Sequence, residues 1–492
     1  MSTDWKLYID GEFCDAEGGA TFDSTDPSNG EVWAKFPAAS AGDVDRAVEA
    51  AQRAFENPEW ANMLPTQRGK LLFRLAELVA EHAGEIAELE TRDTGKVIRE
   101  TKGVTGYVAE FFRYFGGLAD KIEGSVLPID KPDMMVYTTR EPLGVVAAVV
   151  PWNSQMFLTA VKAGPALAAG NTVVLKASED GPSPVLKFAE LVDKAGFPKG
   201  VFNVITGLGD PCGKRLTSHP LVQRVAFTGG PETARHVVRN TAENFAVTSL
   251  ELGGKSPFMV FSDANLESAA NASIAGIFGA TGQSCVAGSR LMVHKSVHNE
   301  FVDRLVARAP SIKIGAPLDM ATEMGPLATV GQKQRIEKVV ADSVAGGASL
   351  LTGGKTPEGF EKGNYYEPTI LSCSDPNLPC VTTELFGPVL SVLTFEDEEE
   401  AIQMANTSDY AFAAGVFTRD LARAHRLMKR VRAGIVWVNT YRAVSPIAPF
   451  GGFKNTGNGR EAGLDAIYDY TRTKTAWINT SDVPMADPFV MR

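Results

Sequence analysis

One cysteine and one glutamate could together make and break an acyl bond. Cys285 lies in Thr281-Gly282-Gln283-Ser284-Cys285-Val286-Ala287-Gly288-Ser289-Arg290, and Glu251 opens the glycine-flanked run Glu251-Leu252-Gly253-Gly254-Lys255-Ser256-Pro257, thirty-four positions upstream. A thiolate attacks a carbonyl or thioester carbon, and a carboxylate activates the water that later releases the acyl group. Neither residue is specific alone, because free cysteine is among the most buried residue types and is more often apolar filler than a nucleophile. Their surroundings have to decide.

Those surroundings alternate. Between 144 and 252, apolar runs at 145–150, 173–175, 201–205, 225–227 and 247–250 read as strands, and amphipathic stretches at 157–169 and 185–195 read as helices. The spacing predicts a parallel, doubly wound sheet covered by helices on both faces, an architecture that commonly holds nucleotides. Ahead of it, 7–13 reads as a strand and turn. Val44, Ala47, Val48, Ala51 and Phe55 share one face of a helix beginning near Ser40, and a long helical region follows Pro65. Beyond it, 266–278 reads as a helix ending at Gly279 and Gly282, which leaves Cys285 on the following loop. A second alternation over 291–437 predicts a second α/β domain carrying the nucleophile. Segments 124–129 and 134–140 read as paired strands, and 470–479 as an exposed strand. Such edges invite a subunit contact, with a solvated hairpin as the alternative.

Bulk composition excludes several function classes. A chain of 492 residues has the length of about three domains and needs no staples to bury a core. The five cysteines, Cys14, Cys212, Cys285, Cys373 and Cys380, are scattered without CxxC or zinc-site spacing, so reduced thiols and a cytoplasmic setting are expected. The start Met1-Ser2-Thr3-Asp4-Trp5-Lys6 carries no signal pattern, and no uncharged run is long enough to cross a bilayer. A net charge of -11 with dispersed Lys and Arg argues against nucleic-acid binding. The acidic run Glu396-Asp397-Glu398-Glu399-Glu400 reads as a solvated helix start that suits the helix dipole.

Further segments join the pair. Pro151-Trp152-Asn153, Lys176-Ala177-Ser178-Glu179 and Phe227-Thr228-Gly229-Gly230 each close a strand. Downstream come Glu384-Leu385-Phe386-Gly387-Pro388-Val389, Gly434-Ile435-Val436-Trp437-Val438-Asn439 and Pro449-Phe450-Gly451-Gly452-Phe453-Lys454. In this order and spacing the chain resembles the NAD(P)-dependent aldehyde dehydrogenase superfamily over about 7–477. The resemblance implies two doubly wound α/β domains plus a small β oligomerisation flap. The cofactor domain would take 1–119 and 143–253, the catalytic domain 254–455, and the flap 120–142 and 468–492, in a homo-dimer or homo-tetramer.

It also implies roles. Cys285 would form a thiohemiacetal with an aldehyde, its oxyanion held by the Asn153 side-chain amide and the Cys285 backbone N–H. Oxidation would leave a thioester that Glu251 resolves through water, and Lys162 is carried over as a fourth catalytic position. Relatives that pass the acyl group to coenzyme A commonly lack the glutamate, so its presence favours hydrolysis. No histidine sits in these motifs, and the positive nicotinamide ring is the expected means of lowering the thiol pKa. Val150, Pro151, Trp152, Lys176, Ser178, Glu179, Gly209, Phe227, Thr228, Gly229, Gly230, Glu384 and Phe386 would hold the cofactor. Glu179 would accept both ribose hydroxyls and repel a 2′-phosphate, which favours NAD while leaving NADP open. The segment 229–234 resembles the family's pyrophosphate turn but carries Gly230 in place of the usual Ser and Ala234 in place of the usual Gly.

The aldehyde is the least legible part. By the resemblance, the tunnel positions correspond to Ser154, Gln155, Leu158, Val161, Gly279, Ser284, Val286, Arg442, Val444, Ser445 and Phe450; several are small or polar, and many relatives carry bulky aromatics at the positions of Ser154 and Val161. Arg442 could pair with a substrate carboxylate, as a semialdehyde acid requires, or could be a solvated or backbone-capping arginine. A thiol esterase and a catalytically silent structural member are the readings from other classes. The first leaves Lys176, Glu179 and Glu384 without a task, and the second predicts loss of Cys285 or Asn153.

Overall fold

A computed structural model describes residues 5–490. The Met1–Asp4 part of the amino-terminal reading, and the outermost residues of the 1–119 and 468–492 assignments, lie outside the described residues. Two large sheets organise the chain. The first has eight strands, and its five central ones run in the order Phe202–Ile205, Thr172–Lys176, Val145–Val149, Val222–Thr228, Val247–Glu251, all parallel. Numbered along the chain, that is a 3-2-1-4-5 order, with its switch point between Val145–Val149 and Val222–Thr228. Ligands of open α/β sheets bind at the carboxyl end of such a point.

Each central strand is near-continuously apolar because helices cover both faces. Gln155–Ala168, Ser183–Ala195 and the long helices Pro65–Glu81 and Ile98–Leu118 pack on one side, and Ala41–Glu56 on the other. Ser40 opens the last of these with a capping box to Asp43. The hairpin Leu7–Ile9/Glu12–Cys14 adds an antiparallel edge beside Phe202–Ile205. At the far edge Gly457–Asn458 pairs antiparallel with Val247–Glu251, so the segment between the expected catalytic domain and flap contributes to the first sheet.

The second sheet has seven strands in the order Ser349–Thr352, Thr369–Ser372, Val389–Phe395, Arg290–His294, Pro257–Val260, Ala413–Phe417, Ile435–Val438, parallel except at the first edge. Leu266–Phe278 is a helix over the residues expected. The acidic run also opens a helix, Glu398–Asn406, but its carboxylates are paired rather than free: Glu398 meets Arg423 and Arg426, and Glu399 meets Arg430.

In the third unit Met134–Pro142 pairs along its whole length with Thr471–Asn479. It also meets residues 124–129 as expected, though over one antiparallel bridge, Val126 to Tyr137, flanked by Leu127 N–H to Val136 O at 2.9 Å and Thr138 N–H to Ser125 O at 2.8 Å. At Gly124 a Cβ would lie 1.8 Å from Thr138 O, so the position has no room for a side chain. No helix among the described residues is long and apolar enough to cross a membrane.

Candidate active site

Cys285 lies on the loop between helix Leu266–Phe278 and strand Arg290–His294 of the second sheet. Beyond helix Leu266–Phe278 the chain turns through Gly279–Gly282 and brings Cys285, half-buried, against the cluster that contains Leu158, Val161, Val286 and Phe450. Burial raises the Cys285 thiol above its ordinary value, the charges of Glu384 and Glu251 raise it further, and the Arg442 cation opposes them. Asn153 follows strand Val145–Val149 by a short turn. Its Nδ2 donates to the Gln283 carbonyl at 3.2 Å, which puts the amide beside the cysteine loop. Its own carbonyl accepts from the buried Lys96, which is paired with Glu90 at 2.7 Å. That long Asn153 bond can be exchanged for a developing oxyanion.

Glu251 ends strand Val247–Glu251, 1% exposed, and neither carboxylate oxygen has a hydrogen-bond partner. Space for it depends on Gly451 (φ 147°), where a Cβ would lie 2.6 Å from Oε1. Beside it stands a polar group of Lys162, Thr228 and Glu461, of which only Glu461 has no mark in the sequence motifs. Lys162, with no exposed surface, donates to Thr228 Oγ1 at 2.7 Å and forms an ion pair with Glu461. Glu461 exchanges two backbone hydrogen bonds with Phe450, at 2.6 and 2.7 Å, which fixes it in place. Burial raises Glu251 well above the usual carboxylate range and the Glu461 charge adds to this, while Lys162 and Arg460 pull it down. Glu461 escapes sequence reasoning because it lies in an irregular stretch with no periodicity. The available signal is Lys162 itself, since a lysine in the middle of an apolar helix needs a counter-charge.

A cavity of about 600 Å³ opens at the switch point, lined by every residue expected there from Val150 to Gly230. Asp210 and Lys214, around the turn that follows Gly209, and His236 and Asn240, farther along the helix that follows Gly230, also line it. Helix Pro231–Asn240 begins at Gly230 without a side-chain cap, so its free backbone N–H groups border the cleft. Glu179 keeps 40% of its side chain exposed, with Lys176 Nζ at 3.5 Å. Glu384 and Phe386 lie outside this lining. Phe386 stands edge-on to Trp152, 5.6 Å between centroids. Glu384 accepts the Gly254 N–H at 2.7 Å, and burial pushes its carboxyl up to about 7 against that bond.

A second cavity, about 630 Å³, is lined by Asn153, Ser154, Gly279, Gln283, Ser284 and Arg442 together with Lys96, Arg99, Glu100, Arg308 and Glu323. Arg442 Nη1 donates to Ala275 O at 3.1 Å, so the capping role exists, yet the guanidinium also borders the cavity. Of the other expected tunnel residues, Leu158, Val161, Val286 and Phe450 are buried wall rather than lining, and Val444 is exposed.

The aldehyde dehydrogenase family model matches residues 13–476. Among curated proteins the chain is 60% identical over 489 residues to the (Z)-2-((N-methylformamido)methylene)-5-hydroxybutyrolactone dehydrogenase of Acinetobacter baylyi, covering 99% of each chain. Among solved structures, PnpE from Pseudomonas sp. WBC-3, in complex with nicotinamide adenine dinucleotide, matches with a TM-score of 0.96 at 44% identity, over 98% of this chain and 99% of that one. Betaine aldehyde dehydrogenase from Staphylococcus aureus, in complex with NAD+, matches with a TM-score of 0.97 at 37% identity, over 99% and 97%.

Proposed function

Because this chain belongs to the aldehyde dehydrogenase family, we propose that it oxidises an aldehyde to a carboxylate with NAD through an acyl group held on Cys285. The observation that carries the reading is the convergence of Asn153, Cys285 and the unpartnered Glu251 from three separate elements. The cleft suits a dinucleotide. Its uncapped helix N-terminus can meet a pyrophosphate, and the exposed Glu179 can accept two ribose hydroxyls and disfavour a 2′-phosphate. NAD bound there would supply the electron-pair acceptor for the oxidation.

Cys285 Sγ attacks the aldehyde carbon, and the resulting oxyanion is held by Asn153 Nδ2 and the Cys285 N–H. Once the thiohemiacetal has become a thioester, Glu251 takes a proton from water, whose oxygen attacks the acyl carbon and displaces the thiolate. A base whose pKa lies above the carboxylate range is better matched to that task near neutrality than an ordinary glutamate. Lys162 and Glu461 hold the polar wall behind Glu251 and set its charge.

A carboxylate-bearing aldehyde is the substrate class that the second cavity favours, because Arg442 reaches it past Gly279 and Ser154 adds no bulk. The Acinetobacter relative supports the same reading. A 5-hydroxybutyrolactone is the ring-closed form of a four-carbon aldehyde that carries a carboxylate. The five free thiols fit a cytoplasmic enzyme, and the paired strands Met134–Pro142 and Thr471–Asn479, with exposed Met135, Trp477 and Ile478, fit a homo-dimer or homo-tetramer contact.

The test is NADH formation with a panel of neutral, aromatic and carboxylate-bearing aldehydes, with Cys285→Ala as control. NADH that depends on Cys285 supports the proposal. Ester hydrolysis without NADH formation would favour a thiol esterase, and silence with every substrate a structural role.

A further inference from the structure

The loop that presents Cys285 is bent against its own backbone preference. Ala280, Thr281 and Gly282 occupy consecutive left-handed conformations, with φ of 52°, 55° and 72°. Glycine adopts these readily, but alanine does so rarely and a β-branched threonine more rarely still. Such a turn persists only where its surroundings over-determine it. Each of the three residues has its own anchor. Thr281 Oγ1 donates to Gly325 O at 3.1 Å. Gly282 lies so close to Gly387 that a Cβ would stand 2.1 Å from the Gly387 carbonyl oxygen. The Ala280 N–H donates to the Glu100 carboxylate, with N–O distances of 3.1 Å to Oε1 and 2.9 Å to Oε2.

The third anchor differs in origin. Gly387 precedes strand Val389–Phe395 of the second sheet and Gly325 packs against Gly95, whereas Glu100 stands in the first turn of helix Ile98–Leu118, which packs on Pro65–Glu81 and Gln155–Ala168 in the layer beneath the first sheet. That layer also bears Asn153 at the start of Gln155–Ala168, and Asn153 bonds Gln283 of the same loop. Two groups from the cofactor side therefore grip the loop, one at Ala280 and one at Gln283, with Cys285 just beyond. We propose that Glu100 is a positioning residue for the nucleophile: by accepting the Ala280 N–H it holds the left-handed turn that keeps Cys285 in register with Asn153. A carboxylate suits this role, since a charge-assisted bond to a backbone N–H is stronger than a neutral one.

The inference rests on Cys285 being the nucleophile and is tested by steady-state kinetics of Glu100→Ala, Glu100→Gln and Glu100→Ala/Ala280→Gly, with Cys285→Ala alongside. Misplacing a reacting group by an ångström costs up to about a hundredfold, so Glu100→Ala is expected to lower kcat on the order of tenfold or more, with the KM for NAD within about twofold of wild type. Glu100→Gln keeps an acceptor oxygen and should retain most of kcat. Ala280→Gly removes the need for the anchor, because glycine takes a positive φ without cost, so the double variant should recover most of what Glu100→Ala lost.

Any one of three results would overturn the proposal: Glu100→Ala within twofold of wild-type kcat, Glu100→Gln as impaired as Glu100→Ala, or no recovery in the double variant. If Glu100→Ala alone does not fold, the Gln variant and the double variant still decide between the two outcomes. Activity surviving in Cys285→Ala would remove the functional reading itself, whereas an inactive Cys285→Ala beside a fully active Glu100→Ala removes only the positioning role.

Discussion

Replacing Arg442 by methionine should separate its two roles. The guanidinium donates one hydrogen bond, to Ala275 O at 3.1 Å, and its remaining donors border the cavity that holds Asn153 and Ser284. Methionine keeps an unbranched stem and removes the charge. A hydrogen-bonded pair with a charged group contributes about 1.5–3 kcal/mol, and partial exposure of Arg442 argues for the lower end, about 1.5–2 kcal/mol. At 1.4 kcal/mol per decade, kcat/KM for a carboxylate-bearing aldehyde should fall roughly tenfold to thirtyfold. A second effect must be cancelled. Arg442 favours the Cys285 anion, so its loss raises the thiol further and slows every substrate at a given pH. The measurement is therefore a ratio: the loss in kcat/KM for a four-carbon aldehyde acid divided by the loss for its neutral carboxamide. A ratio near ten or above assigns Arg442 to substrate recognition. Equal losses for the two substrates would refute that and leave Arg442 as a cap on Ala275 that also tunes the thiol.

Three other outcomes follow from the same geometry. Glu251→Gln should form one equivalent of NADH per active site in a rapid-quench experiment and then turn over about a hundredfold to ten-thousandfold more slowly, as loss of a general base implies; a full steady-state rate would count against Glu251 as the base. Glu461→Gln removes a negative charge that helps raise Glu251. Glu251 then loses its proton at lower pH, so the acidic limb of the kcat profile should move to lower pH, and an upward shift would contradict the coupling. Glu179→Ser removes the carboxylate expected to repel a 2′-phosphate, so the NADP-to-NAD ratio of kcat/KM should rise on the order of tenfold; an unchanged ratio would place cofactor discrimination elsewhere.

Local pattern carries the first sheet and the position of Cys285. Strands buried on both faces read as apolar runs, and Leu266–Phe278 announces its end through Gly279, so the loop position of Cys285 is legible from the residues alone. Pairing between distant segments is not. Residues 124–129 and 134–140 are neighbours in sequence and do meet, through Val126 and Tyr137, yet the long partner of Met134–Pro142 is Thr471–Asn479, because register is chosen by packing that no local window contains. The same limit hides Glu461. Its partner Lys162 is 299 positions away, and only the fold shows that one ammonium serves two carboxylates. Arg442 can be suspected from sequence but not assigned, since an arginine that lines a cavity and one that caps a helix have the same sequence signature.

Strained and unpaired groups occur in several parts of this molecule, at Asp10, Phe245 and Tyr366 among others, and a set of them gathers around Cys285 and Glu251. Leaving a buried carboxylate without a hydrogen bond costs about 1–3 kcal/mol or more, and Glu251 has neither oxygen satisfied. Ala280 and Thr281 hold positive φ next to Cys285, and Phe386 does the same against Trp152. Each feature lowers stability locally, and each is held by a partner from another element: Glu461 and Lys162 set the charge around Glu251, Glu100 grips Ala280, and Gly254 fixes Glu384 beside Phe386. A chain selected only for folding would relax such conflicts one by one. Their proximity to Cys285 and Glu251 is what a site pre-arranged for chemistry requires, because groups already oriented and only partly satisfied gain most when the reacting atoms arrive.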